Sequence, residues 1–238
     1  FFAGTSVGGL VLALYVIGYS PSELYDFVKL FDMSKLKNFS IFNITQFGLD
    51  TGTKLEYVIQ RLIKGKGLKE NIKLKELFDI KQKKLIFTTV CLNTMETYYL
   101  SHETHPDLPL YLAIRMSTSI PFIYCPVIYE GMHYVDGACF DNFPVQLFDP
   151  DSNDTLGLYI VDSYDKVDNI NNLETYILRL LETFMKGMTI NATKGHENYT
   201  VNIHVESINV INYNIDDAKK DELFLKGYGT MMDEKAKC

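Results

Sequence analysis

A serine set among glycines and an aspartate followed by glycine carry the chemistry this sequence offers. Ser6 lies in Gly4-Thr5-Ser6-Val7-Gly8, with Phe1-Phe2-Ala3 before it and an almost wholly apolar run over residues 10–17 after it. This is the G-x-S-x-G pattern of a nucleophile elbow, in which a strand turns sharply into a helix with the serine at the turn. Glycines on either side leave room for the turn and for close packing of helix on strand. The N–H of Val7 and the positive end of the helix then face the oxygen that becomes negative in acyl transfer. The five-residue pattern recurs by chance, so the apolar residues flanking it carry the reading.

The second place is Tyr134-Val135-Asp136-Gly137-Ala138. A hairpin of residues 127–129 and 132–135, turning at Glu130-Gly131, delivers Asp136 to the tip of an apolar strand. Gly137 and the small Ala138 let a partner backbone come close. Taken alone, Asp136-Gly137 reads first as an ordinary turn. Ser6 and Asp136 are far apart in the chain, so only a folded sheet can join them.

The other reactive side chains offer less. His102 and His105 resemble a metal pair, but Pro106 breaks any helix and no third ligand is in view, so no metal is expected. Cys91, Cys125, Cys139 and Cys238 follow no C-x-x-C or framework spacing, which points to reduced thiols and a cytoplasmic setting. A net charge of -7 excludes a nucleic-acid binder, which needs a basic face. Lysines gather over residues 64–84. They read as a solvated helix face and loop, with anionic lipid headgroups as the alternative. No apolar run is long enough to cross a bilayer, so membrane contact would be peripheral.

These groups must be positioned by the rest of the chain, whose 47% hydrophobic content suits one large domain over residues 1–238. After the elbow helix, Ser20, Pro21 and Glu23 form a capping box opening a helix to about Phe31. Residues 32–53 read as an aromatic, asparagine-rich loop with turns at Gly48, Asp50 and Gly52. Helices follow over 54–63 and 74–78, then a doubly buried strand over 85–92 in the same sheet as the strand before Ser6. Residues 95–100 supply an antiparallel partner and 102–109 a loop. A helix over 110–117 is cut off at Ser119-Ile120-Pro121. Later come a buried strand over 156–161, an amphipathic helix over 173–188 (Ile177, Leu180, Leu181, Phe184, Met188), a strand over 201–211 and a helix over 216–232. Alternating strands and helices predict an α/β sandwich with a largely parallel central sheet.

Three stretches together resemble the patatin-like phospholipases: Gly4-Thr5-Ser6-Val7-Gly8-Gly9, then Ala113-Ile114-Arg115-Met116-Ser117-Thr118-Ser119-Ile120-Pro121, then Tyr134-Val135-Asp136-Gly137-Ala138 followed by Asp141-Asn142-Phe143-Pro144. Weaker likeness extends to Phe47-Gly48-Leu49 and residues 223–229. The resemblance implies a three-layer α/β/α fold and a Ser-Asp dyad without histidine, with Ser6 as nucleophile and Asp136 as base. It implies release of fatty acid from phospholipids or other acyl glycerides, with no metal or organic cofactor. The family carries a glycine-rich oxyanion loop upstream of the elbow. The sequence begins with Phe1 inside an expected strand, so it reads as truncated, leaving the Val7 N–H to serve the oxyanion. Ala138 stands where the family often has a second glycine.

Two other readings remain. A Ser-His-Asp esterase would use Asp136 with His196 or His204, and a silent lipid-binding module would keep the fold without turnover. Phe39, Phe42 and Phe47 are expected to pack inside, with a lipid-facing lid as the alternative.

Overall fold

The computed structural model describes residues 1–149, 154–163, 168–189, 192–206 and 215–236. In chain order its elements are β1 (Phe2–Thr5), α1 (Val7–Ile17), α2 (Pro21–Leu30), β2 (Gly48–Asp50), α3 (Thr53–Gly65), α4 (Leu74–Lys81), β3 (Leu85–Cys91) and β4 (Glu96–Leu100). There follow α5 (Leu110–Ser117), β5 (Phe122–Tyr124), β6 (Val127–Tyr129), β7 (Met132–Asp136), β8 (Gly157–Ser163), α6 (Leu173–Thr189), β9 (Thr200–Glu206) and α7 (Asp217–Lys235).

Strand β3 organises the sheet, and all of its residues are buried, as a β-rich and mostly apolar run favours. Along one edge it pairs with β4, antiparallel, from Phe87↔Leu100 to Cys91↔Glu96. The other edge is shared. β1 runs parallel to its first half, from Phe2↔Leu85 to Thr5↔Thr88, and β7 runs antiparallel to the remainder, from Thr89↔Asp136 to Cys91↔Tyr134. β6 then pairs antiparallel with β7.

This sheet is therefore mixed, with one parallel pair, and the expected largely parallel centre is not what forms. The reason lies in the connections: β3–β4 and β6–β7 are joined by tight turns, and a tight turn can only join antiparallel strands. Parallel pairing also occurs in the separate two-stranded pairs β2/β5 and β8/β9.

Helix α1 buries Ala13, Leu14, Val16 and Ile17. It packs with α3 and α5, and both α1 and α5 lie on β3, enclosing Ile59, Ile63, Phe87, Leu110 and Ile114. The capping box of α2 forms as expected: Glu23 N–H donates to Ser20 Oγ at 3.2 Å, and Ser20 N–H to Glu23 Oε2 at 2.8 Å. In the lysine-rich stretch, Lys64 pairs with Glu70 at 3.0 Å, Lys66 with Glu23 at 2.6 Å and Lys73 with Asp107 at 2.6 Å, as befits a solvated face.

One expectation changes and two others are met in part. Strand β8 is not buried, for Leu158 and Ile160 face solvent. Leu180 and Phe184 on α6 are exposed too, while the Met188 side chain lies outside the described residues. The strand expected over 201–211 spans Thr200–Glu206, and residues 207–211 are likewise outside them. Apolar periodicity selects a face of an element but not what that face meets.

Candidate active site

β1 ends at Thr5 and α1 begins at Val7, so Ser6 alone makes the turn, at φ 54° and ψ -131°. A side chain pays steric strain in this part of conformational space, and such outliers persist only where the surroundings hold them. Here they do. Close packing of α1 on β1 comes first: a Cβ on Gly4 would lie 2.7 Å from Gly9 N, and one on Gly9 3.0 Å from both Gly4 O and Phe87 Cδ1. The Ser6 N–H donates to Ser117 Oγ at 2.9 Å, and that hydroxyl donates in turn to Thr88 O at 2.7 Å. Thr5 Oγ1 donates to Asp141 O at 2.9 Å.

Serine is a favoured helix N-cap, yet the Ser6 hydroxyl caps nothing in α1. It donates instead to Asp136 Oδ2 at 2.6 Å. Asp136 is the last residue of β7, its N–H donating to Ser119 O at 2.9 Å and its Oδ1 accepting the Ala138 N–H at 2.9 Å. Register accounts for the meeting: Thr5 pairs with Thr88 and Asp136 with Thr89, so the ends of β1 and β7 abut at consecutive residues of β3.

Asp136 is only 2% exposed. Burial raises its carboxyl from 3.8 to about 6, against the opposing pull of the Ser6 hydroxyl and the Ala138 N–H. A carboxylate so placed is ionised at neutral pH yet more basic than an exposed one. It suits proton abstraction from the hydroxyl it touches.

The remaining expected site residues divide. Gly137 is required by space, since a Cβ there would lie 2.5 Å from Thr88 O. Gly137→Ala is thus expected to lose about 1–3 kcal/mol of stability in urea denaturation, the cost of forcing atoms into a filled site. Ala138 is buried and supplies its N–H to Asp136. Val7 opens α1 and is exposed. Gly8 corrects expectation: a Cβ there meets nothing within 4 Å, and Gly9 is the glycine of α1 pressed against the strand.

The histidines make other contacts. His196 Nδ1 meets the Tyr199 hydroxyl, and His204 lies on β9 opposite Val161. Among the described residues none is hydrogen-bonded to Ser6 or Asp136. His102 stacks on Phe78 with ring centroids 3.7 Å apart, and His105 Nδ1 meets Thr104 Oγ1 at 3.0 Å.

Ser117 lies within the second of the resembling stretches, but local pattern assigns it no role. Thr118 and Ser119 turn their hydroxyls back to carbonyls of α5, at 2.9 Å to Ile114 O and 2.6 Å to Arg115 O. Ser117 alone reaches out to bridge the elbow and β3. Three consecutive hydroxyl residues after an apolar helix were the available signal. Ser117→Ala would strand the Ser6 N–H, and we expect a loss of about 1–3 kcal/mol of stability in thermal denaturation. Turnover should fall with it, while Ser117→Thr retains a hydroxyl and most of both.

A model of the patatin-like phospholipase family matches residues 1–149, a span that includes both Ser6 and Asp136. The chain belongs to this family. Uncharacterized protein R571 of Acanthamoeba polyphaga mimivirus is 31% identical over 236 residues, covering 93% of this patatin-like chain and 78% of that protein. A protein of Invertebrate iridescent virus 6 named as probable lipid hydrolase 463L is 27% identical over 152 residues, covering 61% of this chain and 52% of its own. In fold, the patatin-like chain is similar to the crystal structure of VipD from Legionella pneumophila, with a TM-score of 0.58 at 12% identity, covering 97% of this chain and 60% of that one. Among the described residues no helix is long and apolar enough to cross a membrane.

Proposed function

We propose that this patatin-like protein is a lipid acyl hydrolase of phospholipase A or lysophospholipase type, with Ser6 as nucleophile and Asp136 as general base. The observation that carries the reading is the 2.6 Å hydrogen bond from Ser6 Oγ to Asp136 Oδ2, made by a serine held at a strained elbow. Asp136 takes the Ser6 proton as Oγ attacks the ester carbonyl. The oxyanion that forms faces the Val7 N–H and the positive end of α1. Collapse returns the proton from Asp136 to the departing alcohol and leaves an acyl-serine. Asp136 then deprotonates a water that attacks this ester, and the fatty acid leaves as Ser6 recovers its proton. These steps use no metal or organic cofactor. The substrate is a phospholipid or another acyl glyceride met at a membrane surface, and we extend the reading to the family's three-layer α/β/α arrangement.

The pH dependence follows from the buried carboxyl. A base must be ionised, so kcat/KM should be level above about pH 6 and fall about tenfold per pH unit below it. The test is hydrolysis of a p-nitrophenyl acyl ester and a fluorogenic phospholipid by the protein with its natural start restored, with Ser6→Ala, Asp136→Asn, His196→Ala and His204→Ala alongside. Loss of turnover in the first two only supports the dyad. An essential histidine moves the reading to a Ser-His-Asp esterase, and a folded, inert wild type to the silent lipid-binding module.

A further inference from the structure

The loop over residues 32–53 was expected to pack its aromatic residues inside. Phe39 is half-buried, but Phe42 is 84% and Phe47 68% exposed, and Ile41 and Ile44 beside them also face solvent. Fraying does not account for this, because the loop is tied down. The buried Asp50 carboxylate accepts the Asn38 N–H at 2.6 Å and the Gly52 N–H at 2.7 Å. Leu49 O accepts both the Ser40 N–H at 2.8 Å and Asn43 Nδ2 at 3.0 Å.

Backbone geometry adds an independent observation. Phe47 has φ 67° and Phe122, which is 56% exposed, has φ 65°. The left-handed region is costly for a bulky residue, and glycine or asparagine would occupy either position more cheaply. The two neighbour each other, since β2 and β5 pair with Gly48 opposite Phe122. Two strained, largely exposed aromatics therefore stand at the adjoining ends of β2 and β5. Such strain, at side chains left more than half exposed, points to a role outside the chain.

The surrounding charge identifies the partner. The chain carries a net charge of -7, yet residues 33–47 contain no acid and two lysines, Lys35 and Lys37. Lys37 Nζ lies 4.7 Å from the Phe39 ring centroid, and Lys54 joins the group by donating to Lys37 O at 2.8 Å. Rings and aliphatic tips interleaved with lysines suit the boundary between acyl chains and anionic headgroups. The face also touches β7, the strand that ends at Asp136. Phe47 packs against His133, with ring centroids 6.3 Å apart, and His133 is three residues, or about 10 Å of strand, from Asp136.

We infer that Ile41, Phe42, Ile44, Phe47 and Phe122, flanked by Lys35, Lys37 and Lys54, form a docking surface that seats the protein on an anionic lipid bilayer with the Ser6 elbow turned toward it. The acid-free segment 33–47 also favours this orientation, since a net-negative chain is otherwise repelled by the same headgroups. The choice of a lipid partner rests in part on the acyl-hydrolase reading above.

The experiment is flotation of the full chain, carrying Ser6→Ala so that lipid is not consumed, with phosphatidylcholine vesicles with and without phosphatidylserine. Phe47→Asn with Phe122→Asn is expected to lower vesicle binding about tenfold or more, while melting temperature stays the same or rises as strain is relieved. Lys35→Glu with Lys37→Glu should cost about tenfold on phosphatidylserine vesicles and little on neutral ones. With Ser6 intact, the aromatic pair should hydrolyse soluble p-nitrophenyl butyrate as wild type does. Vesicle binding indifferent to these substitutions overturns the inference. So does a change in oligomeric state on gel filtration in its place, which would make the face a contact between copies. Should wild type cleave no ester while binding still depends on the phenylalanines, the docking surface stands and the hydrolase reading fails.

Discussion

Asp136→Asn is expected to abolish turnover and, above about pH 6, to make the protein more stable. The loss of activity follows from the loss of the base, a group worth about a hundredfold to ten-thousandfold in rate. The gain has a separate origin. A carboxyl raised from 3.8 to about 6 by burial prefers its proton in the folded state. Wild-type stability is therefore fully present below pH 4 and declines as pH rises through 6. By pH 8 the cost is on the order of 3 kcal/mol. Asparagine is nearly the same shape and uncharged. Its carbonyl accepts the Ala138 N–H and its amide donates to Ser6 Oγ, so the variant keeps the contacts and escapes the cost. Urea denaturation of both proteins at pH 3.5 and pH 8 checks this: the curves should nearly coincide at the lower pH and separate at the higher. Equal separation at both would mean that the carboxyl is not raised in the fold.

Ser6→Ala and Ser6→Gly are both expected to be inactive, by about ten-thousandfold or more if Ser6 is the nucleophile, but to differ in stability. Alanine must occupy φ 54°, ψ -131° with a Cβ, and it also deprives the buried Asp136 of a hydrogen bond. Glycine loses the same bond but meets no side-chain strain there. The glycine variant should be the more stable of the two by about 1–3 kcal/mol, the range for a residue held outside the ordinary wells. In most exposed turns, and in any helix, the order would be reversed or flat. Chemical denaturation of the two variants at one pH decides it, and an alanine variant as stable as the glycine one would remove strain from the description of the elbow.

The docking face and the buried carboxyl show one trade: each gives up stability for something the fold alone does not need. Phe47 and Phe122 occupy backbone positions that suit smaller residues, and Asp136 is ionised in a dry site. Substitutions at these places should therefore separate folding from function cleanly.

Much of the site was legible in the chain because it is local. Gly4, Ser6 and the apolar run after Val7 specify a strand, a turn and a buried helix within seventeen residues, and Ser20, Pro21 and Glu23 cap α2 with side chains three residues apart. The apolar run of β3 announced a buried strand. Motif resemblance then singled out Asp136 from the other aspartates, which local pattern alone left as a turn. What the sequence could not determine is every feature that depends on which segments meet. That β7 takes over the edge of β3 where β1 stops, making the sheet mixed and bringing Asp136 to Ser6, is a choice of partner and register. So are the bridge through Ser117, the pressure on Gly9 in place of Gly8, and the outward rings of Phe42 and Phe47. Periodicity and propensity act over a few residues and say which face of an element is apolar. Pairing, burial and the raised basicity of Asp136 arise from contacts between residues distant in the chain, whose energies exist only once the tertiary structure has formed.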